Sequence, residues 1–174
     1  MATKSQIAFA QQVYAAARKV SEIAPDFVAA QAVLETGWGE KKVGKYNVFG
    51  ITKGSQWNGK VVMVRTHEYF ATDGKKFNPP DKIVSICKVK GKKMWYYTVD
   101  RAFKDFDSME DCLVEHNRLF QKPGYADAWP YRKNALEFAK RICDGVGCKY
   151  ATDPAYLTTI MSIIKSVRKY CKAK

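Results

Sequence analysis

The segment Gln31-Ala32-Val33-Leu34-Glu35-Thr36-Gly37-Trp38-Gly39 closes an apolar helical pattern with one carboxylate, then bends at two glycines around a tryptophan. Carbonyl groups at a helix C-terminus carry partial negative charge, and Val28, Ala32 and Leu34 supply apolar cover, so both effects disfavour ionised Glu35. A carboxyl kept protonated near neutral pH can donate to a glycosidic oxygen, the task of a general acid in glycoside hydrolysis. Trp38 offers an aromatic wall to the apolar C–H face of a pyranose. Taken alone, a glutamate at a helix end is more often a solvated surface group; its neighbours decide the reading.

Particular elements must hold these groups. Ile7, Ala10, Tyr14 and Ala17 recur at steps of three and four and predict a first helix from about Ser5 to Val20. Pro25 suits the first turn of a second helix, which carries Phe27, Ala30 and Leu34 inward and delivers Glu35 at its end. From Gly50 to about Asp105 the period becomes two. In the strand Val61 to Phe70, the residues Val62, Val64, Thr66, Glu68 and Phe70 share one face, and Met63, Arg65, His67 and Tyr69 the other. Further strands are predicted at Ile83 to Val89 and Met94 to Val99, joined by a Lys90-Gly91-Lys92 turn, with Asn78-Pro79-Pro80 in a loop.

Helices return after Asp105. Ser108 caps a third, with a stripe of Met109, Leu113, His116 and Phe120 that makes His116 a core histidine. The loop Lys122 to Ala126 precedes a helix bearing Tyr131, Ala135, Phe138 and Ile142 and ending near Gly145. Asp153 with Pro154 opens the last helix, whose stripe is Leu157, Ile160, Ile164, Val167 and Cys171. That cap explains Asp153 fully, so it stays outside the catalytic set. Pattern alone gives an α+β class.

The chain has 174 residues, 30 Lys plus Arg and 17 Asp plus Glu, for a net charge of +13. The basic residues spread from Lys4 to Lys174, which implies an anionic partner such as a wall surface, a membrane or nucleic acid without choosing among them. No run approaches the ~18 apolar residues of a membrane span. The opening Met1-Ala2-Thr3-Lys4-Ser5-Gln6 also lacks a signal-peptide core, so the expectation is export with a leader removed or release by a phage-type route. Five cysteines, Cys87, Cys112, Cys143, Cys148 and Cys171, leave at least one unpaired in a monomer. Cys143 and Cys148 flank a loop that a disulfide could close, but free thiols are the leading expectation. The spacing of Cys and of the two histidines, His67 and His116, fits no zinc site, and no metal or cofactor is expected.

Four segments in order resemble a known family: Gln31 to Gly39, Tyr46-Asn47-Val48-Phe49-Gly50-Ile51, Thr66-His67-Glu68-Tyr69, and Tyr150-Ala151-Thr152-Asp153-Pro154-Ala155-Tyr156. Together they are similar to the peptidoglycan N-acetylglucosaminidases of glycoside hydrolase family 73, found in autolysins, flagellar muramidase-like proteins and phage lysins. The resemblance implies a single catalytic domain over residues 1–174, lysozyme-like, with a mainly helical lobe, a smaller β lobe at about 51–105 and a cleft between them. It implies a monomer acting at the bacterial cell wall on peptidoglycan glycan strands, with no specific nucleic acid partner. Two departures stand out. Tyr46 occupies a position where many relatives carry a second asparagine, and Glu68 and Phe103 are 35 positions apart, a longer stretch than in the family.

Carried over residue by residue, the resemblance makes Glu35 the acid and Glu68 the base that activates water. Trp38, Asn47, Phe49, Tyr125, Tyr150 and Tyr156 become the substrate-contacting set. For the second role, the substrate's own acetamido oxygen supported by Tyr150 or another tyrosine near the cleft, or direct attack by Glu68, remain open. The bland alternative for Glu68 is a solvated strand residue paired with a lysine. A muramidase or lytic transglycosylase acting on the neighbouring bond, and a basic binding module without chemistry, are the competing functions.

Overall fold

In the computed structural model, Thr3 and Pro25 start the first two helices for different reasons. Thr3 caps α1 (Lys4–Val20) in a reciprocal box with Gln6. Pro25, whose fixed φ and missing N–H suit a first turn, opens α2 (Pro25–Thr36). The structure describes residues 2–145, 147, 149–151 and 153–171. They divide into a helical unit, Met1–Phe49 with Phe106–Lys174, and a β unit, Gly50–Asp105.

In the helical unit α2 is the central element. It packs on α1, on α4 (Ala135–Asp144) and on α5 (Tyr156–Cys171), and nine of its twelve residues are buried. A helix buried nearly all round has no polar face to define a stripe, and Leu34 is only half-buried although the pattern aims it inward. Phe27 anchors the core edge-on against Phe120 and Phe138, at 6.1 and 5.0 Å between ring centres. Phe120 belongs to α3 (Met109–Phe120), capped by Ser108 and buried along Met109, Leu113, His116 and Phe120 as the spacing predicts.

Three expectations shift. The buried stripe of α1 is Phe9, Ala10, Val13, Ala16 and Ala17, leaving Ile7 and Tyr14 half-buried. Tyr131 belongs to a short 3-10 turn, Trp129–Tyr131, and α4 begins after it behind the cap Asn134. Asp153 closes a turn before α5, its side chain accepting from the Ala155 N–H, so the helix starts at Tyr156 and Tyr156, not Leu157, leads the buried face. Of the proposed disulfide partners, Cys148 lies outside the described residues; Cys143 is a free thiol whose pKa burial pushes up to about 11.

The β unit is an antiparallel sheet in the order β1-β3-β2, from β1 (Val61–Phe70), β2 (Lys82–Lys88) and β3 (Trp95–Lys104). Burial alternates strictly along β1. Cross-strand neighbours share a face, so Glu68 opposite Tyr97 and Val64 opposite Arg101 place Glu68 and Arg101 on the same side. Phe70, Phe77 and Tyr97 cluster there, and Val99 opposite Thr66 and Ile83 extends that apolar side. β3 runs five residues beyond the predicted Val99 end, because Asp100 and Arg101 break the apolar alternation while their backbone stays in the ladder. Among the described residues no helix is long and apolar enough to cross a membrane.

Candidate active site

The end of α2 is shaped by a tight corner. Gly37 and Trp38 are both left-handed, with φ of 56° and 64°. For tryptophan that backbone costs about 1–2 kcal/mol, offset locally by its N–H donating to the Val33 carbonyl at 2.8 Å. Thr36, buried, donates its hydroxyl to the Ala32 carbonyl at 2.6 Å and accepts the Gly39 N–H at 2.7 Å. Gly39 has φ of 90°, and a Cβ there would sit 2.7 Å from the Phe9 ring. Only glycine fits that approach. The corner thus fixes Glu35 one residue before the helix ends.

Glu35 is open to solvent on one side, yet enough protein surrounds its carboxyl that burial raises its pKa above the ordinary 4.5. The hydrogen bond it accepts from the Tyr150 hydroxyl, at 3.2 Å, acts in the opposite direction and is the smaller influence. Among the described residues no cation pairs with it. A carboxyl desolvated without a compensating charge holds its proton to higher pH, and that is the condition for donating it.

Behind Glu35 lies a buried polar chain. The Gln31 amide N–H donates to the Tyr156 hydroxyl at 3.2 Å, and its oxygen lies 2.6 Å from His116 Nε2. An amide oxygen only accepts, so Nε2 carries the hydrogen. Full burial pushes the His116 pKa down to about 3 and keeps the ring neutral. Among the described residues its Nδ1 has no partner. Phe49 stacks on the imidazole at 3.9 Å. With Gln31 donating to it, the Tyr156 oxygen keeps its own proton to give elsewhere. Burial raises the pKa of Tyr150 and Tyr156, so both stay hydroxyl donors throughout the physiological range.

Most of the set expected to contact substrate gathers here. Tyr150 stacks on Phe120 and lies 5.4 Å from Tyr156, and Tyr125 meets Phe120 edge-on at 5.1 Å. Trp38 is half-buried with its ring 6.4 Å from Tyr170. Asn47 and Phe49 are buried, and Phe49 meets the polar chain through its stacking on His116. Gln31 and His116 are contributors that a linear reading treats only as core, since their partnership spans 85 positions.

Glu68 is described within the β unit. Its Oε1 accepts from Arg101 Nη1 at 2.6 Å. Arg101 Nε in turn donates to Asp81 Oδ2 at 3.3 Å, and Asp81 Oδ1 accepts the Ala102 N–H at 2.8 Å. The partner of Glu68 is therefore an arginine held by a second carboxylate, not the solvated lysine of the bland alternative. The three groups border a hollow of about 640 Å³. Nothing in the local sequence around Glu68 points to Arg101, 33 positions away. Among the described residues no cluster of three or more His, Cys, Asp or Glu is placed to hold a metal ion.

Known proteins share this fold. The chain is 29% identical to a probable N-acetylmuramidase of Lactococcus lactis subsp. cremoris, over 94% of this chain and 34% of that protein. It is 27% identical to the peptidoglycan hydrolase FlgJ of Escherichia coli K12, over 87% of this chain and 42% of that one. It therefore spans about a third to two fifths of these relatives. In structure it is similar to a peptidoglycan hydrolase mutant from Sphingomonas sp. A1, with TM-score 0.67, 27% identity and coverage of 97% and 99% of the two chains. The catalytic domain of the autolysin Auto from Listeria monocytogenes shares the fold, with TM-score 0.70, 22% identity and coverage of 100% and 90%. A family model described as glucosaminidase, mannosyl-glycoprotein endo-beta-N-acetylglucosaminidase, matches residues 10–169. The chain belongs to the glucosaminidase family, as its four ordered motifs imply.

Proposed function

We propose that this chain is a peptidoglycan hydrolase, a single catalytic domain that cleaves the β-1,4 bond between N-acetylglucosamine and N-acetylmuramic acid, with Glu35 as general acid. The observation that carries the reading is the state of Glu35: a carboxyl with raised pKa, paired with no cation among the described residues and bonded by one tyrosine hydroxyl, in a chain of the glucosaminidase family. Protonated Glu35 gives its proton to the leaving oxygen. Glu68 acts as the base that activates water, and the ion pair with Arg101 orients it. Tyr156 donates its hydroxyl proton to an acetamido group, the Tyr150 ring borders the sugar while its hydroxyl stays on Glu35, and Trp38 packs on a ring face. Action at the bacterial cell wall follows from that substrate, the chain is read as a monomer, and the net charge of +13 favours an anionic wall surface.

A muramidase reading is favoured by one observation, the name N-acetylmuramidase borne by a relative. Digestion of purified peptidoglycan followed by mass spectrometry separates the readings. Reducing N-acetylglucosamine ends support the glucosaminidase. Reducing N-acetylmuramic acid identifies a muramidase, anhydro sugars identify a transglycosylase, and unchanged strands leave only a binding module.

A further inference from the structure

The hollow beside Glu68 carries more positive charge than its carboxylates neutralise. Lys53, Lys75, Lys76 and Arg101 line it against Glu68 and Asp81, four cations to two anions, for a formal surplus of two. Both carboxylates already bond the same arginine. Lys53, Lys75 and Lys76 make no ion pair among the described residues. Beneath them the wall is apolar: Lys75 Nζ lies 5.4 Å over the Phe70 ring and the Arg101 guanidinium 5.7 Å over Phe77. At about 640 Å³ the space is that of a small-ligand site rather than a bare surface patch.

Sugar hydroxyls and acetamido groups are neutral and answer none of this charge. The anionic, partly apolar portion of a peptidoglycan repeat is its peptide stem, which presents free carboxylates beside short alkyl side chains. We propose that the hollow binds the carboxylate-bearing peptide stem, an inference that rests on reading the chain as a peptidoglycan hydrolase. Phe70 and Phe77 receive the alkyl groups, and the lysines, with the outward edge of Arg101, receive carboxylate oxygens. A stem anchored beside Glu68 holds the attached glycan strand in register with that residue. The lysines are half-buried or exposed, so their attraction is screened by salt.

Two measurements test this. A synthetic stem tetrapeptide titrated into the whole chain at low salt, followed by NMR, should shift signals of Lys53, Lys75, Lys76 and Phe77, and its carboxamide form should bind at least about fivefold more weakly, the effect of one strong exposed ion pair. Equal binding of the two forms, equal binding of inorganic phosphate, or shifts elsewhere overturn the proposal. In the second measurement, kcat/KM on stem-bearing strands should exceed that on amidase-stripped strands by about the same factor. The ratio should fall toward one in high salt and in a folded Lys75→Gln/Lys76→Gln variant, with folding checked by its melting temperature. Equal turnover of both strands by the unmodified chain sinks the stem site and leaves the hydrolase reading standing. Failure to cut either strand sinks the hydrolase reading, and the stem site with it.

Discussion

Glu35 and Glu68 are both glutamates in matched motifs, and their surroundings differ in sign. Glu35 ends a helix, is desolvated by the protein around it, and has a neutral tyrosine hydroxyl for a partner. Glu68 stands on a strand facing a hollow rich in cations and is gripped by Arg101 at 2.6 Å. One environment favours a carboxyl that can give a proton; the other bonds a carboxylate. The contrast arises from neighbours rather than from the residues themselves, and it is what separates the two roles proposed for them.

The sharpest way to break the contrast is to remove the transferable proton. Glu35→Gln keeps shape and can still accept the Tyr150 hydrogen bond, so turnover should fall at least about a hundredfold if general acid catalysis contributes its usual factor. A folded variant with retained activity removes Glu35 from the acid role. Glu68→Gln should cost less, about tenfold to a hundredfold in kcat, because bulk water can partly replace an activated one. Activity near that of the unmodified chain would instead favour a one-carboxyl transglycosylase and make the Glu68–Arg101 pair structural.

Smaller effects sharpen the picture around Glu35. Trp38→Ala keeps the corner's backbone but removes the ring, and should raise KM several-fold. Unchanged KM and kcat would return Trp38 to packing against Tyr170. Tyr150→Phe removes the hydrogen bond that lowers the Glu35 pKa. The acid works only when protonated, so activity is lost as pH rises through that pKa. With the bond gone the pKa rises further, and the alkaline limb of the kcat/KM profile should move to higher pH. A shift to lower pH would mean that the hydroxyl is not acting on Glu35 as described.

Local chemistry was the legible part of the sequence. Pro25 and Ser108 mark helix starts, and the alternation from Val61 to Phe70 matches the burial of β1 residue by residue, because each depends on neighbours within a turn or a strand. Failures occur where tertiary packing overrides the period. α2 is buried on almost every side, so a stripe through Leu34 misreads it, and β3 continues through Asp100 and Arg101 because the sheet ladder ignores side-chain polarity. At the site, Glu35 and its apolar neighbourhood were visible, while the groups that tune it were not. Tyr150 lies 115 positions from Glu35, His116 lies 85 from Gln31, and Arg101 lies 33 from Glu68. Such pairings are set by the fold, and only the family resemblance brought Tyr150 and Tyr156 into the set beforehand.

Direct titration of the Glu35 side-chain carboxyl by 13C NMR in the folded chain is the most immediate test of the central claim. The account predicts a midpoint above the ordinary 4.5, moving higher still in Tyr150→Phe. A midpoint at or below 4.5 would mean that the end of α2 holds a carboxylate, not a proton donor, and would contradict it.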